Sequence, residues 1–188
     1  MTPQEVTCIS AVIAAFVSIC TLCFNIFFQY RAEMRAAYRK TLEPHLATLG
    51  QNLYETMACS KVLADKNGNA GKSRENWRAR ADKASAELRK LRLAVRYSLW
   101  GLDEPLRVIT RVPNWITHNK GDDLQTKKLI HAATTLRESI DNSVRRAFTK
   151  GRPIPYWERH SLAKRAKVVR DLYQNGAPEE INDNEGHV

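Results

Sequence analysis

Charge is missing from the start of this chain: no lysine, arginine or aspartate precedes Arg31, and Glu5 is the only glutamate there. Glycine (8) and proline (7) are sparse among 188 residues, which excludes a collagen-like or low-complexity protein, and four cysteines exclude a disulfide scaffold. Alternating strand patterns and internal repeats are lacking, so sheets and solenoids are not expected. Also absent are a glycine-rich phosphate loop, an HExxH helix, a GxSxG elbow and, apart from Cys20-x-x-Cys23, any CxxC pair. His45, His118, His131, His160 and His187 are scattered, with no pair one helical turn apart. No metal site and no cofactor are therefore expected.

What is present divides unevenly. Residues 31–173 hold all 30 basic residues and 15 of the 20 acids, a net charge of +15 against +10 for the whole chain. From Val6 to Tyr30 the sequence reads VTCISAVIAAFVSICTLCFNIFFQY. At 1.5 Å per residue that uncharged run is long enough to cross a hydrocarbon core of about 30 Å, and it predicts a transmembrane helix. A cleaved signal peptide would carry a basic start and small residues at a cleavage site; MTPQE and FFQYRAEMR offer neither, so the segment is expected to stay attached. Arg31, Arg35, Arg39 and Lys40 crowd its C-terminal side. That asymmetry predicts an N-terminus outside a cell membrane and a cytoplasmic body. Cys8, Cys20 and Cys23 then lie in the bilayer and Cys59 in a reducing compartment, so no disulfide is expected. One face of the helix carries Ala11, Ala14, Ser18, Thr21 and Asn25 at alternating steps of three and four. Small and weakly polar side chains at that spacing let helix backbones approach, and they predict self-association into a homo-oligomer.

Beyond Arg31 the helical period dominates. Met34, Tyr38, Leu42, Leu46, Leu49, Leu53 and Met57 form one stripe, with a kink or restart expected at Pro44. A turn is expected at Asn67–Gly71. Trp77, Ala81, Ala84, Leu88, Leu91 and Val95 then mark a long amphipathic helix without glycine or proline from Lys72 to Trp100, its seam of coiled-coil type. Gly101 ends it, Asp103-Glu104-Pro105 starts a short stretch interrupted by Pro113, and Asn119–Asp123 recaps the chain. Leu129, Ala133, Leu136, Ile140, Val144 and Phe148 define the next helix, and Leu162, Ala166, Val169 and Tyr173 the last. Trp77, Trp100, Trp115 and Trp157 fall on or beside these stripes and are expected in the core. The expected fold is all-α: one N-terminal transmembrane helix (1–30), a basic cytosolic antiparallel helical bundle (31–173) and an acidic disordered tail (174–188).

One spacing hints at chemistry. Arg111-Val-Pro-Asn-Trp-Ile-Thr-His118 resembles the Arg-x6-His motif of the HEPN ribonuclease superfamily, whose members are helical bundles. That resemblance implies that Arg111 and His118 act as a catalytic pair assembled across two protomers. Val112 stands where the family carries a polar residue, and Pro113 falls within the helix that holds the pair. Basic charge points elsewhere. Arg74, Arg78, Arg89, Arg92 and Arg96 flank the long helix, while Arg31, Arg35, Arg39 and Lys40 sit beside the apolar segment. Such residues attract anionic lipid headgroups and also nucleic acid. Nucleic acid is the less favoured partner, because aromatics are only 8% of the chain and Glu75, Asp82 and Glu87 interrupt the flank. The expected function is interaction rather than catalysis: assembly with itself, with a protein partner or with the membrane lipid surface. A membrane-tethered ribonuclease and a pore-forming defence effector are the alternatives.

Overall fold

A helical stripe buries itself only against another stripe, and this chain carries several. The computed structural model describes residues 3–65, 72–94, 99, 101–118 and 123–174, with side chains from residue 13 in the first helix and residue 73 in the second. It is all-α, with no strand among the described residues. Five helices follow in order: α1 (Pro3–Ala64), α2 (Lys72–Ala94), α3 (Asp103–His118), α4 (Asp123–Lys150) and α5 (Tyr156–Gln174). The turn expected at Asn67–Gly71, the last turn of the long helix with Val95, Arg96 and Trp100, most of the 119–123 break and the tail from Asn175 lie outside the described residues.

α1 is the departure from expectation. It runs unbroken through Pro44, 62 residues in all, so the restart predicted there does not occur. A proline inside a helix removes one backbone hydrogen bond and crowds the preceding turn. Pro44 points to solvent, whereas Leu42, Leu49 and Leu53, each no more than 3% exposed, fix the helix against the core on both sides of it. Burying a leucine is worth about 1.5–3 kcal/mol, so three of them outweigh one lost bond. From Leu42 to Met57 the stripe faces inward as its spacing predicts, with Leu46 half-buried, whereas Met34 at its start is exposed.

α3, which the sequence marks as short and interrupted, is the most enclosed element. Nine of its 16 residues are buried, Pro113 among them. It packs against each of the other four helices. Ile109, Val112 and Leu106 meet Leu88 of α2, Leu136 and Ile140 of α4 and Leu162 and Val169 of α5 in one continuous core. Trp115 stacks on Tyr173 with ring centroids 4.5 Å apart. The other expected core tryptophan on a described helix end, Trp157, is instead 70% exposed. On a helical wheel it lies about 140° from Leu162, off the stripe that the core covers.

Contacts along α1 and α4 run in opposite numerical order: Arg39 meets Phe148 and Thr149, Gly50 sits beside Asp141, and Lys61 shares a cavity with Thr126. α5 tracks α4 in the same way, through Arg146 with Glu158, Ser139 with Arg165, and Gln125 with Leu172.

Candidate functional site

From Ile13 to Tyr30 every described side chain of α1 is exposed, including Phe16 (68%) and Phe24 (63%). Among the described residues one helix, near the N-terminus, is long and apolar enough to cross a membrane, and none of its apolar window is buried against the others. Ala14, Ser18, Thr21 and Asn25 lie exposed on it; the side chain of Ala11 is outside the described region. The hydroxyls of Ser18 and Thr21 donate to the carbonyls of Ala14 and Val17, both at 2.8 Å. Their protons are satisfied within the helix, which leaves each small side chain only its oxygen lone pairs to offer a neighbour.

At the end of the apolar run the four expected basic residues have different surroundings. Arg31 lies over the Phe27 ring at 4.6 Å. Lys40 is exposed. Arg39 donates from Nε to the Phe148 carbonyl at 3.1 Å and from Nη2 to the Thr149 carbonyl at 2.5 Å. These are carbonyls of the last turn of α4, where the helix dipole favours a cation. The same turn closes on itself: Gly151 N–H donates to Phe148, and Arg152 N–H donates to Ala147. Gly151 adopts φ +58°, the left-handed geometry this closure requires. A Cβ there would lie 2.7 Å from Arg35 Cβ and 3.0 Å from Arg35 backbone atoms. The α4–α5 corner therefore rests directly on α1 at Arg35.

The flank of α2 is equally mixed. Arg74 donates to the Leu63 carbonyl at 3.4 Å, at the end of α1. Arg78 and Arg89 are exposed. Arg92 is only 24% exposed and lies 3.4 Å from Asp103 at the start of α3, so it ties two helices together. Arg96 is outside the described residues. Arg80, absent from the expected set, pairs with Glu55 at 2.5 Å and covers the Trp77 ring at 4.5 Å.

Arg111 and His118 share α3 and are both exposed. Seven residues of helix separate them by about 10 Å along the axis. His118 Nδ1 lies 2.9 Å from the Asn114 carbonyl and 3.2 Å from Thr117 Oγ1, contacts within its own helix. Seven residues is close to two full turns, so both project from the same face of α3. A polar cleft of about 340 Å³ lies elsewhere, between α4 and α5, lined by Ser139, Asn142, Arg146, Glu158 and Arg165 among others. Arg146 pairs there with Glu158 at 3.0 Å and Arg165 donates to Ser139 at 2.8 Å, so its two cations already have partners. Among the described residues no group of three or more His, Cys, Asp or Glu is placed to hold a metal.

Among the described residues burial shifts two titratable groups, both in the body. Burial pushes the Tyr38 phenol from its usual 10.0 up to about 12. Burial also raises the Cys59 thiol, helped by the nearby Glu55 carboxylate and opposed by Arg80.

Sequence reasoning missed Tyr156 and Trp157, which are 73% and 70% exposed at the start of α5. Their signal was their angular position: both lie away from the line of Leu162, Ala166 and Val169. Comparison with protein-family models, with curated proteins and with solved structures found no match to this chain.

Proposed function

We propose that this is a single-pass membrane-anchored protein, N-terminus outside, whose cytoplasmic body works through self-assembly and through contact with a protein partner or the membrane surface. The observation that carries the reading is the continuity of α1. One helix supplies both the exposed apolar segment of residues 13–30 and the buried Leu42, Leu49 and Leu53 of the core. An aqueous protein exposing that much contiguous apolar surface would aggregate, and a bilayer is the environment that accepts it. The boundary between the units 1–30 and 31–173 is thus one of environment and not a flexible joint. The opposed order of contacts between α1, α4 and α5 supports an antiparallel bundle for the body.

Assembly through the membrane segment is favoured by the small face of Ala11, Ala14, Ser18, Thr21 and Asn25, whose two hydroxyl protons are used internally. Surface contact is favoured by Arg31, Arg35 and Lys40 at the end of that segment. The test is extraction and labelling of the full chain in cells. Alkaline carbonate should leave it in the membrane pellet, and an engineered cysteine replacing Val188 should react with an impermeant thiol reagent only after permeabilisation. Release by carbonate would overturn the membrane reading, and labelling of intact cells would overturn the orientation.

A further inference from the structure

The basic residues at the junction and the exposed aromatics at the start of α5 are far apart in sequence, yet the fold brings them to one end of the body. Gly151 lies against Arg35, and Arg35 is five residues past Tyr30, about 8 Å of helix rise. A headgroup layer is about 5–8 Å deep on each side of the hydrocarbon. If α1 leaves the hydrocarbon near Tyr30, the α4–α5 corner stands at the outer edge of that layer. Arg39 ties the same corner to α1 through Phe148 and Thr149, and Ile154, only 2% exposed, anchors it in the core. These contacts hold the corner against α1. What it presents outward is Lys150, Arg152, Tyr156 and Trp157, all exposed.

From this juxtaposition we propose that the α4–α5 corner is a second membrane contact, in which Tyr156 and Trp157 enter the interface of a bilayer containing anionic lipid while Lys150 and Arg152 join Arg31 and Arg35 on its phosphates. Tryptophan and tyrosine favour this depth because an apolar ring and a polar N–H or O–H are satisfied together there. Each Lys or Arg near an anionic surface adds to the attraction. Two contacts, one through the membrane helix and one through the corner, would hold the body at a fixed tilt instead of letting it stand free on its stalk. The inference rests on the membrane anchoring proposed above.

The experiment reconstitutes the full chain in vesicles whose lipids carry bromine at a shallow acyl position, which quenches indoles close to it. Flotation and carbonate extraction report insertion, and the difference between wild type and Trp157→Phe isolates the fluorescence of Trp157. Trp157 is exposed, so the substitution should leave helix content unchanged. With phosphatidylglycerol in the vesicles, the Trp157 component should shift to shorter wavelength and lose intensity to bromine. Lys150→Glu with Arg152→Glu should remove most of that loss. If the protein inserts and Trp157 is no more quenched by brominated than by ordinary lipid, the corner does not dock and the inference is overturned. A Trp157 that is shielded from water but unquenched would assign the patch to protein, a second copy or a partner, and overturns it equally. If the chain fails to insert at all, it is the membrane reading itself that falls.

Discussion

Arg39 illustrates how little a basic side chain's sequence position says about its role. Read as one of four charges beside an apolar segment, it instead donates to two carbonyls at the end of α4. Gly151, next to it, is required twice over, by its φ of +58° and by its approach to Arg35. Gly151→Ala should therefore cost about 1–3 kcal/mol. Gly50→Ala is the control: it lies within α1, and an added Cβ would meet Asp141 at an ordinary 3.9 Å. That change should gain about 0.5–1 kcal/mol. Thermal unfolding in detergent compares the two, and equal effects would mean that Gly151 is not held against α1. Alkaline pH supplies a second residue-scale test. Tyr38 titrates near 12 in the folded chain and near 10.0 when unfolded, so the folded state keeps its proton longer. The stability this contributes is complete below pH 10 and is lost as pH rises toward 12; Cys59, also raised, acts in the same direction from about the ordinary thiol value of 9.0 upward. Unfolding midpoints should fall on raising pH above 9, and less so in Tyr38→Phe. Cys59 should also resist thiol reagents until the body unfolds, since it is fully buried.

At the scale of elements, α2 shows a stripe that the sequence located and a basic flank whose members have different surroundings. Leu88 is fully buried and Leu91 nearly so, as their spacing predicts. Leu88→Ala should cost about 2–5 kcal/mol. The basic flank divides by what faces it. Arg89 is exposed, and its replacement by alanine should change stability by no more than about 0.5 kcal/mol. Arg92 is three-quarters covered and faces Asp103 across the α2–α3 connection. Arg92→Ala should lose about 1 kcal/mol, through packing of its stem as well as charge. Urea titration of the three variants gives an order, Leu88 largest and Arg89 smallest. If Arg92 and Arg89 behave alike, the contact with Asp103 contributes nothing.

For the whole molecule, the unbroken α1 makes the exposed apolar segment and the body one lever. Association of the membrane helices would then impose a fixed geometry on the bodies. Replacing both Ala14 and Ser18 with leucine should disrupt crosslinked oligomers in native membranes, because larger side chains separate the backbones. Leucine at both Ile13 and Val17, off that face, should not. Migration as a monomer at every protein density, or identical behaviour of the two pairs, would remove the support for assembly. The corner beneath α4 and α5 adds the second constraint proposed above, and it would act on each body whether or not the helices associate.

The sequence by itself determined the helices, their inward faces and the exposed apolar segment. Helical period is local, so residues three and four apart reveal a stripe before any partner is known, and Leu42, Leu88, Leu136 and Val169 all obey it. The uncharged run to Tyr30 was equally legible, because no charge interrupts it from Val6 onward and composition is read without knowing any contact. Only the tertiary structure decided that α1 continues through Pro44, where leucines packed on either side outweigh one lost bond. It alone made α3 the centre, turned Arg39 and Arg92 into ties between helices, and left Tyr156 and Trp157 exposed beside Gly151. Each of these depends on which groups from distant positions meet, and a pattern that repeats every 3.6 residues carries no information about that.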